Sequence, residues 1–124
     1  MSAQQVGVLP LSFPPPGVAI ESHLAIGLDG KLAAAGKPIF GFSDYATDGT
    51  ESFLCITGLT AMAKAGAAIG VNDQLLMVDA TSRLVPWTTG NSIAAIRVPT
   101  ASVPQTAIAA GEIIEVYVFH DRPV

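Results

Sequence analysis

The chain has 124 residues, of which 50% are hydrophobic and 13% charged, with six basic against ten acidic side chains. That length is one domain. So much apolar content with so little charge excludes a disordered chain, and a net charge of −4 argues against a binder of nucleic-acid phosphates. An average soluble domain carries about 25% charged residues. Charge normally keeps the outside of a monomer soluble and apart from its neighbours, so the shortfall implies surface held against other protein. A single cysteine, Cys55, excludes an internal disulfide and a multi-thiolate metal site.

The first charged side chain is Glu21. The uncharged stretch before it contains Pro10 and the run Pro14-Pro15-Pro16, which cannot sit inside a membrane-spanning helix. It lacks the basic start and unbroken apolar run of a secretory signal. The expectation is a soluble product made in the cytoplasm, without membrane contact. Residues 1–16 read as an extended, proline-rich arm. The arm carries Val6, Val8, Leu9, Leu11 and Phe13, more apolar than frayed termini usually are. It is a candidate for docking on a partner.

Residues 17–124 read as a single β domain. Val18–Ile20 and His23–Leu28 are short strand candidates, followed by Asp29-Gly30, a favoured pair for a two-residue hairpin turn with positive φ at both positions. Ile39–Tyr45 is the next strand, and Thr47–Thr50 a second turn. Glu51–Thr57, with Phe53, Leu54, Cys55 and Ile56 in succession, reads as a strand buried on both faces and closed by Gly58. Leu59–Ala68 is alanine-rich and reads as one or two helical turns limited by Gly66 and Gly70. Gln74–Asp79 and Arg83–Trp87 form a second hairpin candidate, with Pro86 placing its second strand on an edge. Ser92–Val98 is a further strand, and Pro99–Gly111 a loop. Glu112–Phe119 alternates most clearly, with Ile114, Val116 and Val118 on one face and Ile113, Tyr117 and Phe119 on the other. About eight short strands at near ten-residue spacing predict an all-β sandwich or small barrel.

Residues for chemistry are scarce. Cys55 lies in the most apolar run, where a buried structural thiol is the expected reading, and neither His23 nor His120 has a partner at metal-ligand spacing. Asp44, Asp48 and Glu51 surround a turn but lack the alternating oxygens of a calcium loop. They read as a solvated hairpin tip. Gly36-Lys37 runs into Pro38 and makes no phosphate loop. Trp87 and Tyr117 are too isolated for a base-stacking platform. Trp87 is either core or an interface anchor. No catalytic residue, metal site or cofactor is expected.

The order of segments resembles a known family. Gly17-Val-Ala-Ile, Leu28-Asp-Gly-Lys-Leu-Ala-Ala-Ala and Ile39-Phe-Gly-Phe come first. Ala65-Gly-Ala-Ala-Ile-Gly-Val-Asn-Asp-Gln-Leu-Leu, Asp79-Ala-Thr-Ser-Arg-Leu-Val-Pro and Ala109-Ala-Gly-Glu-Ile-Ile-Glu-Val follow. Together, over roughly residues 17–119, these resemble the small capsid decoration, or cement, proteins of tailed bacteriophages. Ser82 stands where that family often has glycine, the Pro99–Ala110 loop is longer, and the arm lies outside the match. The resemblance implies a non-enzymatic virion protein on the outside of the shell, bound to the major capsid protein and stabilising its lattice. It implies no cofactor. Attachment at local symmetry axes would make a homotrimer natural, or a homodimer. Other phage structural modules, a tail or fibre component, are the alternative, ahead of a small-ligand-binding β-barrel. The uncharged stretches 1–20 and Val98–Gly111 are where contacts with the shell or with sister subunits are expected. The candidate contact residues are Val6, Val8, Leu9, Leu11, Phe13, Pro14, Pro15 and Pro16 from the arm, Val103 and Pro104 from the loop, and Trp87.

Overall fold

In a computed structural model the described residues are 8–97 and 107–121, the side chains of residues 8 and 9 excepted. Among them are eight strands and no helix: β1 Val8–Phe13, β2 Ala25–Gly27, β3 Ile39–Ser43, β4 Phe53–Lys64, β5 Leu75–Val78, β6 Leu84–Pro86, β7 Ala95–Arg97 and β8 Ile113–Val118. The sheet runs β2-β3-β4-β8-β7-β5-β6, with β1 also paired to β4. Every strand pair is antiparallel. A bridge from Ala65 to Leu84 joins the end of β4 to β6 and nearly closes the sheet into a barrel. The expected all-β architecture is therefore present. Pro86 lies in β6, the last strand of the path, where a missing N–H costs no ladder bond.

Strand β4 corrects the expectation that a strand ends at Gly58 and helical turns follow. It continues to Lys64. Ala61 and Ala63 are buried while Met62 is exposed, an alternation of period two rather than a helical one. Five successive residues, Thr60 to Lys64, pair with Tyr117 back to Ile113. Cross-strand pairing and burial override alanine's helical preference, which is a weak prior.

Two β-bulges shape this sheet. From Val8 to Pro10, β1 advances two residues while its partners on β4, Leu59 and Ile56, are three apart. The extra residue lies between Ile56 and Leu59, and Leu59, which pairs with Val8, takes a left-handed backbone, φ 53. One added residue reverses the facing of everything beyond it. Accordingly Ile56 before the bulge, and Ala61 and Ala63 after it, all pack into the same core. On β3, Ile39 and Gly41 are two apart while their partners Gly27 and Ile26 are adjacent, so Phe40 is the extra residue.

The main core lies inside the barrel and is rich in alanine around Ile39, Phe42, Ile69, Leu76, Leu84 and Val116. A second cluster of Phe13, Ile20, Ile26, Phe53 and Cys55, with Leu32 against it, covers the opposite face of β4's first half. The run is thus fully buried on the Phe53 and Cys55 face, while Leu54 and Ile56 on the other face are half-buried, short of the expected two-sided burial. The second cluster also places the described part of the arm. Residues Val8 to Phe13 are a strand of the sheet, and the Phe13 ring sits edge-on to Phe40 at 5.5 Å and 5.7 Å from Phe53. Pairing with β4 satisfies the backbone groups of β1 that face it, and burial of Phe13 adds the apolar gain that a free arm would forgo.

The turns differ from expectation in detail. At Asp29-Gly30 only Gly30 has positive φ (80), and Gly27 N donates to Lys31 O at 2.7 Å. The loop is therefore the three-residue form closed by a glycine, not the two-residue turn. The carboxylates of Asp48 and Asp79 organise the next two turns. Asp48 accepts from Thr50 N (2.9 Å) and Thr50 Oγ1 (2.7 Å), and Asp79 from Thr81 N (2.8 Å) and Thr81 Oγ1 (2.7 Å). Ser82, where the resemblance expects glycine, has φ 64, a conformation that glycine adopts without cost. Its hydroxyl donates to Ala33 O at 2.8 Å. Val18–Ile20 is not a strand but a single bridge from Ile20 to Thr47, and His23, expected in a strand, lies in a turn at φ 65.

Gly41 stands where β3 crosses β4 so closely that an added Cβ would collide with the Ile56 carbonyl oxygen. Gly41→Ala should lower unfolding stability by about 1–3 kcal/mol, the usual cost of overpacking, as a reduced midpoint in chemical denaturation.

Candidate interaction surface

The two bulges have a common consequence. An extra residue re-aims its side chain out of the regular pleat, and both bulges lie on one side of the molecule. Phe40 and Leu59 are left exposed there. Leu11 on β1, Leu28 in the loop after β2 and Tyr117 on the outer face of β8 join them around an open groove of about 500 Å³. Apolar side chains singly exposed are ordinary, but five large ones around one hollow form a patch of the kind that marks a binding surface.

The groove is held by polar contacts at its rim. His120 Nε2 lies 2.9 Å from the carbonyl oxygen of Phe40, fixing the end of β8 to the β3 bulge. Asp121 Oδ2 accepts from Ile93 N at 2.9 Å. Among the described residues its lining contains no Lys, Arg or Glu.

Among the described residues the groove's lining holds no cysteine or serine. Cys55 is buried in the second cluster, and burial pushes its thiol from 9.0 up to about 12. It is a neutral packing group. A smaller hollow of about 160 Å³ is lined by His23, Ser43, Asp44, Thr60, Met62 and Glu115 among others. The hydroxyl of Ser43 is committed there, donating to Glu21 O at 2.7 Å and accepting from Leu24 N at 3.1 Å. Among the described residues no group of three or more His, Cys, Asp or Glu is placed to hold a metal ion. Asp48, at the exposed tip expected to be solvated, is held below the usual carboxylate range by the Thr50 backbone N–H and then the Thr50 hydroxyl. No described helix is long and apolar enough to cross a membrane.

The candidate contact residues are dispersed. Leu11 lines the groove. Phe13 and Pro16 are buried, Pro14 and Pro15 exposed. Val8 and Leu9 lie in β1 with side chains outside the description, and Val6, Val103 and Pro104 fall outside the described residues altogether. Trp87 is half-buried, donates through Nε1 to Asn91 O at 2.8 Å, and borders a separate hollow with Asn72 to Leu75. Phe40, Leu59, Leu28, Tyr117 and His120 were not among the candidates. Two of them carry a sequence signal, because Gly41 follows Phe40 and Gly58 precedes Leu59, and glycine inside a strand pattern marks a bulge.

No family model matches the chain, and no curated protein matches it. Among solved structures, the head fiber gp8.5 N base of bacteriophage phi29 is similar, with a TM-score of 0.68 over 93% of this chain and 97% of that one. The identity is 11%, so the likeness is one of fold.

The Cys55 environment predicts that thiol reagents at pH 8 leave the native protein unlabelled and react only once denaturant opens it. Its raised value also sets a sign. Stability from this group is full below 9.0 and declines as pH rises from there toward about 12, because the unfolded chain loses the proton first. Cys55→Ser should flatten that alkaline slope.

Proposed function

We propose that this chain is a structural protein of a bacteriophage head, acting by binding rather than by catalysis. The observation that carries this reading is the near end-to-end fold likeness to a head fibre base. The order of segments resembling phage decoration proteins supports it independently, as do the low charge and the apolar groove.

The finer reading is that the protein sits on the exterior of the assembled shell, bound to the major capsid protein, and associates with itself as a trimer or dimer. A protein that binds the lattice and not its separated subunits stabilises the lattice by mass action. That role needs contact area and symmetric packing and no pocket chemistry. A second reading, the base of a projecting fibre, is favoured by the description of the similar structure.

Titrating purified protein onto heads of the same phage that lack it tests both. Saturable binding with a higher temperature of head disruption is expected for lattice stabilisation. Saturable binding without a thermal shift points to the fibre base, and failure to bind the heads overturns the proposal.

A further inference from the structure

We infer that the Asp29-Gly30 turn is a site of spontaneous backbone modification, where aspartate converts to isoaspartate in the folded protein while Asp48-Gly49 resists the same change. This chemistry is independent of the proposed function.

The conversion needs no partner. Gly30 N forms a bond to Asp29 Cγ and gives up its proton, and the carboxyl hydroxyl leaves with a proton as water. The five-membered succinimide so formed takes one water back. Opening at the Asp29 main-chain carbonyl leaves the chain running through the side-chain carbon, and the former main-chain carboxyl becomes the side group. Atoms balance, and no oxidant or reductant enters. Glycine hinders the attack least, because it has no Cβ. The sequence has two Asp-Gly pairs, Asp29-Gly30 and Asp48-Gly49.

The fold separates them. Ring closure swings the glycine N–H toward the carboxyl, so the glycine needs room to turn. Gly49 is buried with its backbone against Val18, where an added Cβ would lie 2.6 Å from the Val18 carbonyl carbon. Its carbonyl oxygen also accepts from Gly17 N at 3.0 Å. Gly30 is half-buried, and an added Cβ there would meet the Phe13 ring at an ordinary 3.5 Å. Each glycine N–H donates a bond, Gly30 to Gly27 O at 3.0 Å and Gly49 to Thr47 Oγ1 at 3.2 Å, so these bonds do not set the pairs apart.

The carboxyls differ as well. Only a neutral carboxyl gives up its hydroxyl readily. Asp48 Oδ1 holds both Thr50 N and Thr50 Oγ1, which favours the ionised form. Among the described residues Asp29 Oδ1 accepts from Lys31 N, at 3.0 Å, and from no hydroxyl. Conversion adds one backbone carbon to a three-residue loop closed by Gly27 N donating to Lys31 O. Leu28, inside that loop, lines the apolar groove, so the change falls on the groove's rim.

The test incubates the native full chain and the chain unfolded in guanidinium side by side at mildly acid pH, then cuts both with trypsin. The peptide ending at Lys31 has Asp29 as its one aspartate and contains no asparagine, and Asp48 lies in the peptide ending at Lys64. Electron-transfer fragmentation quantifies isoaspartate at each position. In the unfolded chain the two aspartates are expected to convert at similar rates. In the native chain Asp29 should convert at least about tenfold faster than Asp48, the rate equivalent of one hydrogen bond to a charged group. Equal native rates, faster conversion at Asp48, or no conversion at Asp29 overturn the inference. So does an unfolded chain with the same preference, since the contrast would then lie in sequence rather than in fold.

Discussion

The antiparallel pairing along β4 is the constraint on which the rest depends. Its first half is the partner of β1 and β3, and its second half the partner of β8. One strand thus belongs both to the section between β1 and β3 and to the barrel wall. These two duties demand opposite facings of the side chains, and the bulge before Leu59 reconciles them. Without that added residue, either Cys55 and Phe53 or Ala61 and Ala63 would lie on the wrong side. The surface proposed to make contacts is a by-product of the same adjustment, because a strand that must change facing displays a side chain where it does so.

Polar groups in this molecule mostly build turns. The Asp48 and Asp79 carboxylates each take the same two donors, a threonine N–H and hydroxyl two residues on. Ser43 and Ser82, both buried, bond backbone atoms of distant segments and so join loops to the sheet. Lys64, half-buried, and the exposed Glu21 form an ion pair at 3.5 Å, and pairs with a partner this open to solvent add little.

Where one residue's neighbours in sequence decided its place, the structure was legible beforehand. The alternation in β8 predicted its buried and exposed faces residue by residue, because a half-covered strand writes its environment into a period of two. The apolar run at Phe53–Ile56 announced a strand but overstated its burial, since Leu54 and Ile56 are half-buried. Alanine carries too weak a preference to announce a strand, so the second half of β4 read as helix until pairing with β8 was seen. The groove was not legible as a site. Its walls come from β1, β3, β4, β8 and the loop after β2, and no local pattern records that five separate segments converge. Only the glycines beside Phe40 and Leu59 hinted at it. The arm misled in another way, since prolines and a terminal position suggested an extended segment reaching for a partner, while Phe13 is buried against Phe40 and Phe53 of the same chain.

The alanines of the barrel core set a direction for change. Ala25, Ala33, Ala61, Ala63, Ala65, Ala94 and Ala95 are all buried in it, and their methyl groups let the walls approach closely. An interior of this kind cannot accept larger side chains without spreading the strands. Variation is therefore channelled to the outward half of each strand and to the loops. A scaffold of this sort can acquire new partners far more readily than new chemistry.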